Sequence, residues 1–132
     1  MTNQVPSDIC RILLVDDDGA VSAPVARYFR SKGCHVDVAA ELEEAQALVT
    51  HRRYDLAIVD LRLTKVGNAD GLEVLRDIRK RDHWTCLIVL TAYAGVEIEE
   101  EATRLGADAL LRKPQPLDGI AALAFRLMGR AA

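Results

Sequence analysis

Asp55-Leu56-Ala57-Ile58-Val59-Asp60 is a short apolar run closed by a carboxylate. Leu56, Ala57, Ile58 and Val59 are apolar without alternation, as expected of a strand buried on both faces of a parallel sheet. Asp60 then stands at the carboxyl end of that strand. In open α/β sheets this edge is where ligands and chemistry collect. Asp60 is therefore the first candidate site residue, and the rest of the chain is read outward from it.

Upstream, Arg11 to Val15 reads as a second buried strand, closed by Asp16-Asp17-Asp18-Gly19. A helix follows, roughly to Lys32, with Val21, Val25, Tyr28 and Phe29 on one side. Pro24 is awkward inside a helix, so Ser22 is expected as the cap, which puts Pro24 in the first turn. Gly33 marks the stop. His35 to Ala39 is a strand and Glu41 to His51 a helix, with Leu42, Ala45, Leu48 and Val49 inward.

Downstream, Leu61 to Ala69 is a polar loop. Asp70-Gly71 opens a helix from Leu72 to Arg81. Cys86 to Leu90 is another fully apolar strand ended by Thr91. Val96 to Leu105 is an acidic helix stopped by Gly106. Ala109 to Leu111 is a short strand, followed by Lys113-Pro114. The last helix, Leu117 to Met128, turns Leu117, Ile120, Ala121, Ala124 and Leu127 inward. Five strands alternating with five helices imply right-handed crossovers and a doubly wound α/β fold.

The length of 132 residues suggests one domain, with residues 1–9 as a flexible tail. The net charge of −3, without a basic block, speaks against nucleic-acid binding. No apolar run approaches the roughly 20 residues that span a bilayer, and no secretory signal opens the chain. Cys10, Cys34 and Cys86 are scattered, with neither a zinc spacing nor a disulfide framework. A cytoplasmic location is the expectation.

Four strands end in polar residues: Asp16-Asp17-Asp18, Asp60, Thr91 and, just past the last strand, Lys113. A parallel sheet brings these ends to one edge. Two carboxylates about 4 Å apart repel by about 4 kcal/mol at an effective dielectric of 20. Lys113 offsets one unit, and a hard divalent cation is expected for the rest: Mg²⁺, or Mn²⁺ in its place. A carboxylate nucleophile, a metal, a lysine and a hydroxyl donor suit phosphoryl transfer. Asp60 is the expected nucleophile, with Asp17 and Asp60 on the metal, Lys113 as counter-charge and Thr91 as hydrogen-bond donor.

Leu14-Val15-Asp16-Asp17-Asp18, Ile58-Val59-Asp60, Val89-Leu90-Thr91-Ala92 and Lys113-Pro114 are similar, in order and spacing, to the receiver domain of two-component response regulators. The resemblance covers about residues 10–130. It implies a flavodoxin-like five-stranded sheet of order 2-1-3-4-5 and a cis Lys113-Pro114 bond. It implies Asp60 as phosphoacceptor, with Thr91 and Lys113 as its companions. For the metal it implies Asp16, Asp17 and Asp60, with the backbone carbonyl of Arg62. The donor would be a histidine kinase or a histidine phosphotransfer protein, or a small acyl phosphate. The output would be a downstream protein partner or onward transfer of the phosphoryl group, with a homodimer also compatible. Such a protein is a switch that phosphorylates and slowly dephosphorylates itself, not a turnover enzyme.

The chain departs from the family pattern in places. Leu110 stands where an aromatic residue is common; a leucine can repack but carries no hydroxyl to turn outward. The loop after Asp60 is longer than usual, has Thr64 in place of a proline, and carries Lys65, expected to face solvent. Arg62 and Tyr93 lie two residues beyond Asp60 and Thr91, at positions that set the life of the acyl phosphate in the family. Bulky Tyr93 is expected to hinder the attacking water.

Two other readings compete. A haloacid-dehalogenase-like phosphatase would use the Asp-x-Asp at Asp16 and Asp18. However, Ala20 stands where Thr or Val is expected, the later acidic pair and the cap are missing, and Asp60 would have no role. A phosphorylation-independent interaction module would leave the five-residue set without purpose. Asp18 alone is expected to serve the following helix through its dipole. The acidic run Glu97, Glu99, Glu100 and Glu101 is expected as a solvated helix face, with a partner surface beside Leu110 as its alternative. Trp84 is expected to cover the edge of the core, and His35, His51 and His83 to be structural or exposed.

Overall fold

The computed structural model describes residues 9–63 and 70–129. Ten elements alternate along them: β1 (Arg11–Val15), α1 (Gly19–Ser31), β2 (His35–Ala39), α2 (Leu42–His51), β3 (Leu56–Val59), α3 (Asp70–Arg81), β4 (Cys86–Thr91), α4 (Val96–Arg104), β5 (Ala109–Arg112) and α5 (Leu117–Leu127). The strands form one parallel sheet of order β2-β1-β3-β4-β5. This is the doubly wound α/β architecture and strand order expected from the sequence. The tail reading of residues 1–9, Ile9 aside, and the readings of Thr64 and Lys65 lie outside the described residues.

The unbroken apolar strands are explained by two cores, one on each face. Leu13, Val15, Ala57, Val59, Leu87 and Val89 point toward α2, α3 and α4. Ile12, Leu14, Leu56, Ile58, Ile88 and Leu90 point toward α1 and α5, where Phe29 packs on Phe125 with ring centroids 5.5 Å apart. Both faces of β3 are covered, so a two-residue polar alternation would bury charge.

Two expectations about the helices are corrected. Asp18, not Ser22, is the N-cap of α1: its carboxylate accepts from the Ala20 N–H at 3.0 Å. Pro24 therefore lies inside the helix and Ser22 is buried. A carboxylate at the cap satisfies an orphan N–H and meets the positive helix end, which outweighs the one backbone bond Pro24 cannot make. Trp84 does not seal the core: it is 55% exposed, while Thr85 beside it is buried and donates to the Tyr54 carbonyl at 3.0 Å.

A candidate phosphoacceptor and metal site

Sheet register builds the site. Val15 pairs with Val59, so the next residues, Asp16 and Asp60, leave adjacent strands at the same level. Backbone bonds carry the ladder one step further: Asp60 N–H donates to the Val15 carbonyl at 2.8 Å, and Lys113 N–H to the Thr91 carbonyl at 3.0 Å. Asp60 is central because β3 lies between β1 and β4.

The Asp60 carboxylate is 7% exposed and satisfied on both oxygens. Oδ1 accepts from Thr91 Oγ1 at 2.7 Å and from the Arg62 N–H at 3.1 Å. Oδ2 accepts from Lys113 Nζ at 2.9 Å. The same ammonium lies 2.8 Å from Asp16 Oδ2, and Asp16 Oδ1 accepts from the Asp18 N–H at 2.9 Å. The Lys113-Pro114 bond is cis. Burial raises the Asp16 carboxyl above its ordinary value, against the pull of Lys113. Burial alone would lower Lys113, but its hydrogen bonds to Asp16 and Asp60 hold it above the ordinary lysine value. One ammonium shared by two carboxylates leaves the cluster short of positive charge.

Asp17 is exposed and joins from the rim. One oxygen each from Asp16, Asp17 and Asp60 lie within 4.8 Å of one another. Three carboxylates against one lysine form an oxygen-rich, net negative donor set, which fits a small hard dication and not zinc or copper. Each of Asp16, Asp17, Asp60, Thr91 and Lys113, singled out in the sequence, falls in this one place. Arg62 is there through its N–H, and its guanidinium donates to the Ala94 carbonyl at 2.7 Å. Asp18 turns away to cap α1, so the Asp-x-Asp of the phosphatase reading does not act as a unit.

Several residues beside the site escaped the sequence reading. A Cβ on Gly71 would lie 2.2 Å from the Asp60 carbonyl oxygen, so only glycine lets α3 start against the Asp60 backbone. In the sequence Gly71 marked a helix opening and the end of the loop after Asp60, with nothing to show its approach to the Asp60 backbone. Glu99 is not part of a solvated face: its side chain is 12% exposed, accepts from the Ala94 N–H at 3.0 Å and pairs with Arg112 at 2.6 Å. Arg112 lies over the ring of Tyr93, which is 61% exposed. Leu110 is half-buried against the α2–α4 side of the core.

The family model described as response regulator receiver domain matches residues 12–124. The acid tolerance regulatory protein ActR of Sinorhizobium medicae is 36% identical over 118 residues, covering 89% of this chain and 59% of that protein. The photosynthetic apparatus regulatory protein RegA of Rhodobacter capsulatus is 33% identical over 109 residues, 83% of this chain and 58% of that one. The chain thus spans under two thirds of the length of these relatives. A CheY-like response regulator receiver domain protein from Methanospirillum hungatei superposes with a TM-score of 0.84 at 27% identity, covering 92% of this chain and 95% of that one. A response regulator from Burkholderia pseudomallei, solved with a phosphorylated aspartic acid and a calcium ion, superposes with a TM-score of 0.75 at 26% identity, covering 91% and 71%. With a buried aspartate at the tip of the central strand, two acidic neighbours and a lysine between them, this chain belongs to the receiver domain family of two-component response regulators.

Proposed function

We propose that Asp60 is the phosphoacceptor and that Asp16, Asp17 and the Arg62 carbonyl join it in holding Mg²⁺, with Mn²⁺ as a substitute. The observation that carries this reading is the pair of bonds on Asp60, to Thr91 Oγ1 at 2.7 Å and Lys113 Nζ at 2.9 Å, within reach of two further carboxylates. When bound, the dication neutralises charge on the phosphoryl oxygens.

An Asp60 oxygen forms a bond to phosphorus while the bond from phosphorus to the donor breaks. With a phosphohistidine donor the imidazole leaves with the bonding electron pair; with an acyl phosphate a carboxylate leaves. Lys113, freed from one Asp60 oxygen, follows the negative charge onto the phosphoryl group. Thr91 turns its hydroxyl to a phosphoryl oxygen, and the Arg62 N–H remains as a fixed donor. Water later attacks phosphorus, the bond from phosphorus to the Asp60 oxygen breaks, and inorganic phosphate leaves with the carboxylate restored. This is a cycling switch and not a turnover enzyme.

The donor is a histidine kinase or histidine phosphotransfer protein in the cytoplasm, and the output a protein partner or onward phosphoryl transfer. No described helix is long and apolar enough to cross a membrane. Mass spectrometry after incubation with acetyl phosphate and Mg²⁺ tests the reading. One base-labile phosphoryl adduct is expected on the wild type and none on Asp60→Asn. An adduct of equal yield on Asp60→Asn would overturn it.

A further inference from the structure

At the opposite edge of the sheet, where the strands begin, lies a cavity of about 280 Å³. Arg11 and His35 enter it from the starts of β1 and β2, and His51, Arg52 and Arg53 from the end of α2. Asp37 is the one acidic residue in its lining, and it is already engaged. It accepts from the Tyr54 hydroxyl at 2.6 Å and pairs with Arg52 at 3.3 Å. Burial, with the Asp37 carboxylate beside it, raises the Tyr54 phenol far above its ordinary value, so it stays a proton donor to Asp37.

This leaves the Arg11 and Arg53 guanidinium groups without an ion pair among the described residues, with two imidazoles beside them. Asp55 meets Arg11 along the backbone: its carboxylate accepts from the Arg11 N–H at 2.9 Å, and its own N–H donates to the Arg11 carbonyl at 2.8 Å. Basic side chains at the end of a helix ordinarily answer its dipole. Here that role is filled from elsewhere: Arg81 donates to the carbonyls of Val49 and Arg52. Arg11 and Arg53 are therefore surplus to capping α2. Keeping like charges together around a concavity costs energy, which an anion in the cavity would recover. Guanidinium forks match phosphate and carboxylate oxygens. The space exceeds one simple oxyanion, and the charge exceeds what a monoanion balances.

We propose that this cavity binds a small polyanion bearing phosphate or carboxylate groups, held by Arg11 and Arg53 and flanked by His35 and His51. The site is distinct from the Asp60 cluster, which lies at the other ends of the same strands and repels anions when free of metal.

Pyrophosphate and citrate, titrated separately into the metal-free 132-residue chain at constant ionic strength, are the probes for the two chemistries. Binding is read from the imidazole resonances of His35 and His51 and from calorimetry. Saturable binding of one or both is expected, weakened about tenfold or more in the double variant Arg11→Gln/Arg53→Gln. The probe that binds identifies the ligand chemistry. Both positions are exposed, so the variant keeps the fold. Arg27→Gln/Arg126→Gln removes equal charge from exposed positions elsewhere and is expected to bind as the wild type. No saturable binding of either probe at millimolar concentration, or equal weakening in both double variants, would overturn the proposal.

Discussion

Arg62 and Glu99 grip the same residue from opposite sides: the Arg62 guanidinium donates to the Ala94 carbonyl at 2.7 Å, and the Glu99 carboxylate accepts from the Ala94 N–H at 3.0 Å. Arg62 lies two residues beyond Asp60 and Glu99 in the first turn of α4, so the segment after Thr91 is tied both to the acceptor loop and to a helix. Glu99→Ala should remove one tie, strand Arg112 and cost about 1–3 kcal/mol. Hydrogen exchange at Ala94 N–H should quicken by more than the loss of global stability explains. Exchange at Ala94 that merely follows global unfolding would count against the tie.

If the Asp16, Asp17 and Asp60 cluster holds Mg²⁺ as proposed, adding Mg²⁺ should stabilise the wild type, since only the folded chain assembles those carboxylates. At a hundred times the dissociation constant the gain is about 2.7 kcal/mol. Asp17→Asn should lose most of this gain while hardly changing metal-free stability, because Asp17 is exposed. Thermal melts with and without Mg²⁺ provide the check.

Without metal, Asp60→Asn should raise stability, since it removes one of two carboxylates that share a single ammonium. Lys113→Ala should lower it by about 3 kcal/mol, leaving both carboxylates uncompensated. Urea titration of the three proteins should place the wild type between the variants. Coincident curves would mean the cluster carries no such strain.

The Lys113 ammonium is held above its ordinary value of 10.5. A base whose folded value is raised stabilises fully below the unfolded value, and that stabilisation disappears as pH climbs through the folded value. Metal-free protein should therefore lose stability above about pH 10.5 more steeply than Lys113→Met, measured as unfolding free energy against pH. Asp16 is also raised, so its ionisation removes stability as pH rises past 3.8, in the acid range. Asp16→Asn should flatten that part of the profile.

Gly71→Ala should disturb the Asp60 backbone directly. The new methyl would meet the Asp60 carbonyl and the Leu61 Cα, both backbone atoms that cannot rotate away. A loss of about 1–3 kcal/mol is expected, with a fall in the rate of Asp60 labelling by acetyl phosphate. Gly119→Ala, where nothing lies within 4 Å, is the control and should be neutral or slightly stabilising.

The site was legible because its residues sit at strand ends. Parallel pairing forces such ends to one edge, so Asp16, Asp60, Thr91 and Lys113 could be brought together from sequence order. Glu99 was misread because a run of glutamates has no internal mark of which one turns inward. Only the approach of Arg112, thirteen residues on, selects it. Asp18 serves the helix as its sequence position suggests, but as the cap itself; Pro24 points locally to a cap at Ser22, and the bond from the Ala20 N–H to Asp18 overrides that signal.

By itself the sequence determined the alternation of elements, the double burial of β3 and the chemistry gathered at Asp60, because apolar periodicity and strand ends are local signals. Tertiary structure alone decided which carboxylates share Lys113, that Gly71 must yield to the Asp60 backbone, that Glu99 and Arg62 meet at Ala94, and that the Arg11 and Arg53 side chains face one cavity without an ion pair among the described residues. Those facts depend on distances between groups far apart along the chain, and no periodicity records them.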